Sequence, residues 1–164
     1  MDTTQRVRAY LSRFHAEDRV IEFSVSSATV ALAAAALGCE EGRIAKTLSF
    51  MAGDQPLFVV AAGDRRVDNH KFKERFHAKA KMMTAQQLEA LTGLHFGGVC
   101  PFGIPEAVQI WLDASLRAWD VVYPAAGTES SAVRLNLAEL EQFSGALGWV
   151  DVCKGPDAPS DTCP

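Results

Sequence analysis

The sequence predicts an α+β fold, a single domain in which helices pack around a mixed, mainly antiparallel β-sheet. Strand and helix patterns interleave irregularly along the chain, and short turns between neighbouring strand segments indicate hairpins. A chain of 164 residues, 48% of them hydrophobic, is long enough to bury one core. We assign residues 1–154 to this domain, with an N-terminal helical segment over 1–21, and residues 155–164 to a flexible tail.

The first elements are predicted from periodicity and capping residues. Apolar residues recur at helical spacing near the N-terminus: Val7, Tyr10, Leu11 and Phe14. Residues 21–27 favour a short strand. Ser26 or Ser27 is expected to cap an alanine-rich helix that ends at Gly38.

A hairpin and a basic helix come next. Strands are predicted over 43–52 and 57–63, joined by the turn 53–56. The second strand is apolar on both faces, so we expect it to be central in the sheet. Asp68 is expected to cap a basic helix that reaches about residue 77.

The second half of the chain contains strand and helix patterns of the same kinds. A short strand over 80–83 precedes a helix that has a capping box between Thr84 and Gln87 and ends at Gly93. A further helix is predicted over 137–145. The remaining strands are predicted over 107–113, 118–124, 132–136 and 149–153.

The cysteine and histidine pattern predicts no metal site. The four cysteines form no C-x-x-C pair and have no zinc-like spacing with the four histidines, so we interpret them as reduced thiols. No apolar run approaches the roughly 20 residues that span a bilayer, and the charged N-terminus does not resemble a signal peptide. We therefore expect a cytoplasmic protein with no membrane partner.

Residues 65–81 form a basic stretch on an otherwise acidic chain. The net charge of −4 disfavours a protein that coats nucleic acid nonspecifically. Within the stretch, only Asp68 and Glu74 are acidic, against seven basic residues: Arg65, Arg66, Lys71, Lys73, Arg75, Lys79 and Lys81. This pattern fits either a partner that brings phosphates to one place or a solvated helix face.

Lys46 is a candidate functional residue because of the strand in which it lies. Period-2 alternation predicts two faces, one with Ile44, Lys46, Leu48 and Phe50 and the other with Ala45, Thr47 and Ser49. The single charge thus lies in the more apolar row. An unpaired ammonium is costly there, so Lys46 is expected either to reach solvent or to line a cavity where an anion or a carbonyl meets it.

The stretch 95–106, HFGGVCPFGIPE, is a candidate ligand-binding loop. Gly97 and Gly98 permit backbone angles closed to other residues and leave room for a ligand, while Pro101 stiffens the second half of the loop. Such a loop either presents N–H groups to an oxygen or simply connects two elements. Cys100 is either a nucleophile, which would need a base within reach, or a packed apolar residue.

Four segments, in order, are similar to motifs of one known family: GRIAKTLSF, LFVVAAGDRRVD, LTGLHFGGVCPFG and AGTESSAVRLNLAEL. Over residues 22–152 the chain resembles the YbaK family, the freestanding relatives of the editing domain inserted in bacterial prolyl-tRNA synthetases. The resemblance implies a YbaK-like, partly barrel-like sheet. It also implies a hydrolase that removes wrongly attached amino acids by cutting the ester to the terminal ribose, without a metal or another cofactor.

The resemblance also implies roles for residues. Lys46 matches the lysine most tied to activity. The substrate-binding candidates are Gly97, Gly98, Val99, Cys100, Pro101, Gly127, Thr128 and Ser130. The basic residues that we expect to contact tRNA are Arg65, Arg66, Lys71, Lys73, Lys79 and Lys81. Small residues replace Cys100 in many relatives, which favours a role in pocket size.

Three functions stay open at this point. The first is a trans-editing deacylase acting on the acceptor end of tRNA(Pro) or a related tRNA carrying a small wrong amino acid, alone or with a synthetase as partner. The second is a non-catalytic module that binds aminoacyl-tRNA or another nucleic acid, with no sequence-specific DNA binding expected. The third is a hydrolase dependent on Cys100. The alanine-specific branch has a histidine-containing motif where this chain has YPAAGTESSAV, so that branch's residues do not transfer.

Overall fold

The computed structural model describes residues 2–155, and its helices lie where the sequence predicts them. In that range they are α1 (Thr3–Leu11), α2 (Val30–Leu37), α3 (Asn69–Phe76), α4 (Ala85–Thr92) and α5 (Leu137–Ser144). None of these helices is long and apolar enough to cross a membrane. The predicted flexible tail lies outside the described residues, apart from Gly155.

Side chains cap the starts of these helices. The Asp68 carboxylate accepts the first free N–H groups of α3, and Thr84 forms the predicted capping box with Gln87 at the start of α4. Gly38 and Gly93 end α2 and α4 in the left-handed conformation, as predicted.

The cap of α2 is a correction to the sequence prediction. The helix begins later than expected, at Val30. Its cap is Thr29, whose hydroxyl accepts a hydrogen bond from the Leu32 N–H at 3.2 Å. Neither predicted serine is the cap. The Ser27 hydroxyl instead donates to the Glu129 carbonyl at 2.7 Å, and the Ser26 hydroxyl accepts the Ala28 N–H. Both serines are therefore engaged in the segment that precedes the helix.

The strands within the described range are β1 (Val20–Glu22), β2 (Ile44–Ala52), β3 (Gln55–Ala62), β4 (Arg66–Val67), β5 (Lys81–Met82), β6 (Gln109–Asp113), β7 (Val121–Pro124), β8 (Ser131–Val133), β9 (Leu135–Asn136), β10 (Gly148–Val150) and β11 (Cys153–Lys154). The main sheet has the order β10-β6-β3-β2-β7-β9, with β5 also paired to β2. Strands β3–β6, β6–β10 and β2–β7 pair in parallel, and the other pairings of the described residues are antiparallel. The predicted α+β fold with a mixed sheet is confirmed.

Several predicted strands are shorter or divided, and those predicted over 107–113 and 118–124 begin only at Gln109 and Val121. The strand predicted over 21–27 ends at Glu22. The strand predicted over 132–136 is split, because the chain changes partner at Arg134, from β1 to β7. The strand predicted over 149–153 is likewise divided between β10, which pairs with β6, and β11, which pairs with β4. Each change of partner depends on distant segments.

The core lies on both faces of β3. Phe58, Val60 and Ala62 belong to the larger core, and Leu57, Val59 and Ala61 pack on the opposite face in a second cluster that includes Phe72 of α3. The prediction that this strand is central is therefore confirmed.

Candidate active site

A cavity opens beside β2, where the main sheet has a gap. On the side of β2 away from β3, β7 pairs only with Ile44 and Ala45, and β5 pairs only with Phe50 and Met51. A cavity of about 180 Å³ lies between them, and its lining includes Lys46, Thr47, Phe96, Gly97, Val99 and Tyr123. Pockets for drug-sized ligands hold roughly 300–1,000 Å³, so this cavity suits a small ligand or the end of a larger one.

Lys46 follows the predicted alternation. Leu48 and Phe50 on its face contact the second core cluster, whereas Ala45 belongs to the larger core on the other face. The Lys46 ammonium donates to the carbonyl oxygens of Gly63, at 3.4 Å, and Arg65. Carbonyl groups of the segment that follows β3 therefore hold this cation beside the cavity wall.

Gly63 allows that segment to pass close to its neighbours. A Cβ atom at this position would lie 2.4 Å from the Glu41 carbonyl oxygen and 2.7 Å from a methyl group of Val30. Real Cβ atoms essentially never approach backbone oxygen so closely, so only glycine fits without displacing the chain. The position of the carbonyls around Lys46 thus depends on a residue that lacks a side chain.

The two predicted substrate-binding segments meet in the structure. Gly97 has a φ of +93°, which favours glycine, and its neighbour Gly98 packs directly on the chain at Gly127 and Thr128. A Cβ atom on Gly98 would lie 2.8 Å from both the Gly127 carbonyl oxygen and the Thr128 Cα. Gly97 and Val99 line the cavity, and Gly98 fixes the loop against the second segment.

The second segment supports the loop through hydroxyl groups. The Thr128 hydroxyl accepts from the Thr4 hydroxyl of α1 at 3.3 Å and donates to the Ser131 hydroxyl at 2.8 Å. The Ser130 N–H in turn donates to the Thr128 hydroxyl at 3.4 Å. Ser131 lines the cavity, whereas Gly127, Thr128 and Ser130 lie outside the lining. This part of the segment therefore acts as a scaffold behind the cavity.

Cys100 is buried in the larger core and lies outside the cavity lining, as does Pro101. Burial raises the pKa of the Cys100 thiol to about 11. Since the thiolate is the nucleophilic form, this environment disfavours a catalytic role for Cys100. Its side chain points into the core instead of the cavity, which suits a residue that sets the position of the cavity wall.

The basic residues of 65–81 are spread over several surfaces. Lys71 forms an ion pair with Asp151 at 3.2 Å. Lys73 and Lys79 line a second pocket, at α3. Lys81 is adjacent to Met82, which lines the cavity and is 54% exposed. Of the predicted tRNA contacts, Lys81 is therefore nearest in the chain to the cavity mouth.

Arg65 and Arg66 lie between β3 and α3. The Arg65 side chain lies near the Asp64 carboxylate at 3.5 Å, and its backbone carbonyl accepts from Lys46. Arg66 is exposed and pairs in β4 with Lys154. These two arginines therefore belong to the segment that holds Lys46.

Sequence reasoning missed most of the cavity lining, including residues at its rim and its open edge. Phe96, which is 49% exposed, and Met82 form an apolar rim, and Thr47 lies on the open edge of β2. Alternation placed Thr47 opposite Lys46, but only the sheet pairing shows that this edge is open. No group of three or more His, Cys, Asp or Glu residues within 2–155 is arranged to hold a metal ion.

Comparisons with known proteins agree on one family. A family model described as "Aminoacyl-tRNA editing domain" matches residues 25–143. The "Uncharacterized protein YwhH" of Bacillus subtilis (strain 168) is 44% identical over 149 residues, which cover 90% of this chain and 95% of that protein. EbsC of Enterococcus faecalis, named as a candidate Cys-tRNA(Pro)/Cys-tRNA(Cys) deacylase, is 30% identical over 62% of this chain and 63% of its own length.

Longer relatives contain the same region. The proline–tRNA ligase of Nitratidesulfovibrio vulgaris (strain Hildenborough) is 30% identical to this chain over a matched region. That region covers 83% of this chain and only 23% of the enzyme. A crystal structure described as a candidate trans-editing enzyme for prolyl tRNA synthetase has 28% sequence identity and a TM-score of 0.85, covering 94% of this chain and 99% of that one. The fold, the matched region and the sequence relatives agree, and the chain belongs to the aminoacyl-tRNA editing domain family.

Proposed function

We propose that this protein is a trans-editing deacylase that hydrolyses the ester of a mischarged tRNA. The observation that carries the proposal is the small cavity at the gap beside β2, with Lys46, Gly97 and Val99 at its walls, in a chain of the editing family. The volume of about 180 Å³ favours a small amino acid. The names of EbsC and of the structural relative support tRNA(Pro) as the tRNA.

The reaction makes modest chemical demands. Water adds to the carbonyl carbon of the ester, the bond from that carbon to the ribose oxygen breaks, and a proton passes to the ribose oxygen. The products are the free amino acid and the intact tRNA. Because an aminoacyl ester is already activated, positioning and stabilisation of the developing negative charge supply the catalysis.

Two features of the cavity fit that demand. Lys46 supplies a fixed positive charge beside the cavity, suited to the negative charge of the reacting oxygen or of the terminal phosphate. Gly97 and Val99 line the cavity beside Lys46, and the absence of a side chain on Gly97 lets backbone N–H groups approach the ester. The buried Cys100 supports that wall from behind.

The tRNA body needs a second, larger contact. Lys73 and Lys79 line the pocket at α3, and Lys81 directly precedes Met82 at the cavity rim. We assign these lysines to the phosphates of the acceptor stem, a contact that positions the tRNA without reading its sequence.

A deacylation panel tests the proposal. Each of several tRNAs charged with cysteine, alanine, serine or threonine is offered separately, with the protein at catalytic amounts and with and without prolyl-tRNA synthetase. We expect multiple turnovers on at least one mischarged tRNA(Pro). Binding to tRNA that weakens with salt, without cleavage of any ester at any protein concentration, would contradict the proposal and leave a binding module.

A further inference from the structure

A short stretch of the β2 edge lies inside the cavity, between the strands β7 and β5. Over its whole length β2 pairs with β3, but on the other side its pairing with β7 stops at Ala45 and its pairing with β5 starts at Phe50. The segment 46–49 between them lines the cavity. A strand edge offers N–H and C=O groups to any extended ligand that lies beside it.

The ladder shows which residue of this segment points its peptide groups into the gap. In antiparallel pairs, residues alternately direct both backbone groups toward the partner strand or away from it. Pro56 has no N–H, so its partner Met51 belongs to the set directed away from β3, and Ser49 and Thr47 follow at intervals of two. The Met83 N–H confirms this direction, since it donates to the outward Ser49 carbonyl at 3.0 Å.

Thr47 is therefore directed at the cavity by its backbone, and its hydroxyl adds a second observation. Within residues 2–155, four buried side-chain polar atoms have no hydrogen-bond partner, and Thr47 Oγ1 is the one whose residue lines the cavity. Buried polar atoms are nearly always paired in native proteins. A ligand bound in the cavity would supply a partner for this hydroxyl.

An aminoacyl group has the polar pattern that this edge requires. Its α-ammonium and its carbonyl oxygen are separated by one Cα, just as the N–H and C=O of a strand residue are. A residue lying antiparallel to Thr47 would direct its donor to the Thr47 carbonyl and its acceptor to the Thr47 N–H.

We propose that Thr47 binds the polar end of the aminoacyl group as if that group were one residue of an added strand, an inference that rests on the proposed function. The Thr47 carbonyl and hydroxyl accept from the α-ammonium, and the Thr47 N–H donates to the ester carbonyl oxygen. The class of ligand is thus an α-amino acid ester with a free amino group. Because the backbone groups are common to every amino acid, the rest of the cavity sets the choice of side chain.

The test compares two non-hydrolysable ligands that differ only in the α-ammonium. They are 3′-(L-alanylamino)-3′-deoxyadenosine and 3′-(propionylamino)-3′-deoxyadenosine, and their affinities are measured by titration calorimetry. We expect the wild-type protein to bind the alanyl compound roughly tenfold more tightly, the scale of one hydrogen bond to a charged group. Equal affinities for the two compounds, or no binding of the alanyl compound, would overturn the proposal.

Two variants of Thr47 separate binding from structure. Thr47→Val removes the hydroxyl at nearly constant shape and is expected to reduce the preference for the alanyl compound about threefold or more. Its melting temperature should equal or exceed that of the wild type, because an unpaired buried hydroxyl is removed. Thr47→Ser, the matched control, should keep the preference. A lower melting temperature with an unchanged preference would show a purely structural hydroxyl and refute the assignment.

The outcome is separable from that of the deacylation panel. If the alanyl preference and its dependence on Thr47 are observed but no tRNA ester is cleaved, the binding inference holds and the proposed enzymatic function fails. If esters are cleaved but the two amides bind equally, the function holds and the role of Thr47 is refuted.

Discussion

The replacement Gly98→Ala tests whether the glycine loop must lie directly on the segment at Gly127. The added Cβ would lie 2.8 Å from the Gly127 carbonyl oxygen and from the Thr128 Cα. Ordinary contact begins near 3.4 Å, so one of two backbone segments must move by about 0.6 Å. Both contacts are with backbone, which yields less readily than the end of a flexible side chain.

The expected cost of this overpacking is about 1–3 kcal/mol. For a domain of this size each kcal/mol lowers the melting temperature by about 2–4 °C, so we expect the melting temperature to fall by roughly 2–12 °C. Because Gly97 and Val99 line the cavity, deacylation should fall more steeply than stability. A displacement of 1 Å at a reacting group costs on the order of a hundredfold in rate.

Gly148→Ala is the matched control. Like Gly98, Gly148 has no positive φ, but a Cβ atom there would meet only the Trp111 ring, at 3.4 Å. We expect a change within about 0.5 kcal/mol and unchanged deacylation. If Gly98→Ala matches this control in both melting temperature and activity, the loop does not depend on the contact at Gly127 and our account of the cavity wall is wrong.

Three further sets of substitutions probe the site. Lys46→Ala should keep the far-UV circular dichroism spectrum and lower kcat/KM for deacylation about a hundredfold, as expected for loss of one preorganised charge; full activity would refute its role. Replacing Lys79 and Lys81 by Gln should reduce the salt dependence of tRNA binding by about two counterions, measured as the slope of log K against log salt, and an unchanged slope would exclude them as phosphate contacts. Cys100→Ser should keep most activity. Burial raises the pKa of Cys100 from 9.0 to about 11, so between pH 9 and 11 the folded state keeps a proton that the unfolded state releases. The free energy of unfolding therefore falls over this range, by at most roughly 1.4 kcal/mol per pH unit. Urea unfolding should show a shallower decline in the variant, and identical pH profiles would contradict this assignment.

The features predicted correctly from the sequence are those with local causes. Asp68 and the pair Thr84 and Gln87 cap helices through bonds to residues within three positions, so their spacing alone identifies them. The position of Lys46 beside a cavity was one of two alternatives predicted from a charge that interrupts an alternating apolar row, which is also a local pattern. Neither kind of signal requires knowledge of distant partners.

The features that were missed depend on which distant segments meet. Ser26 and Ser27 are good capping residues, yet the Glu129 segment binds Ser27 and the helix starts at Thr29 instead. The strand around Arg134 divides because β1 and β7 compete for its two halves. The scaffold role of Thr128 also depends on a partner from α1, Thr4, which lies 124 residues away. No local pattern carries that information.

In the proposed site, the adjacent residues Lys46 and Thr47 present three groups of one strand in three directions. Alternation directs the lysine ammonium to one face of the sheet and the threonine hydroxyl to the other. The ladder directs the peptide groups of Thr47 sideways, into the gap that β7 and β5 leave. A cation, a hydroxyl and a peptide group are thus set around one cavity edge by a regular strand, without the strained backbone on which many sites depend. A shift of β2 by one residue would therefore reverse the direction of all three groups. The two-residue turn before Gln55 sets the register of β2 with β3. We expect this register to matter more for activity than any single side chain except Lys46.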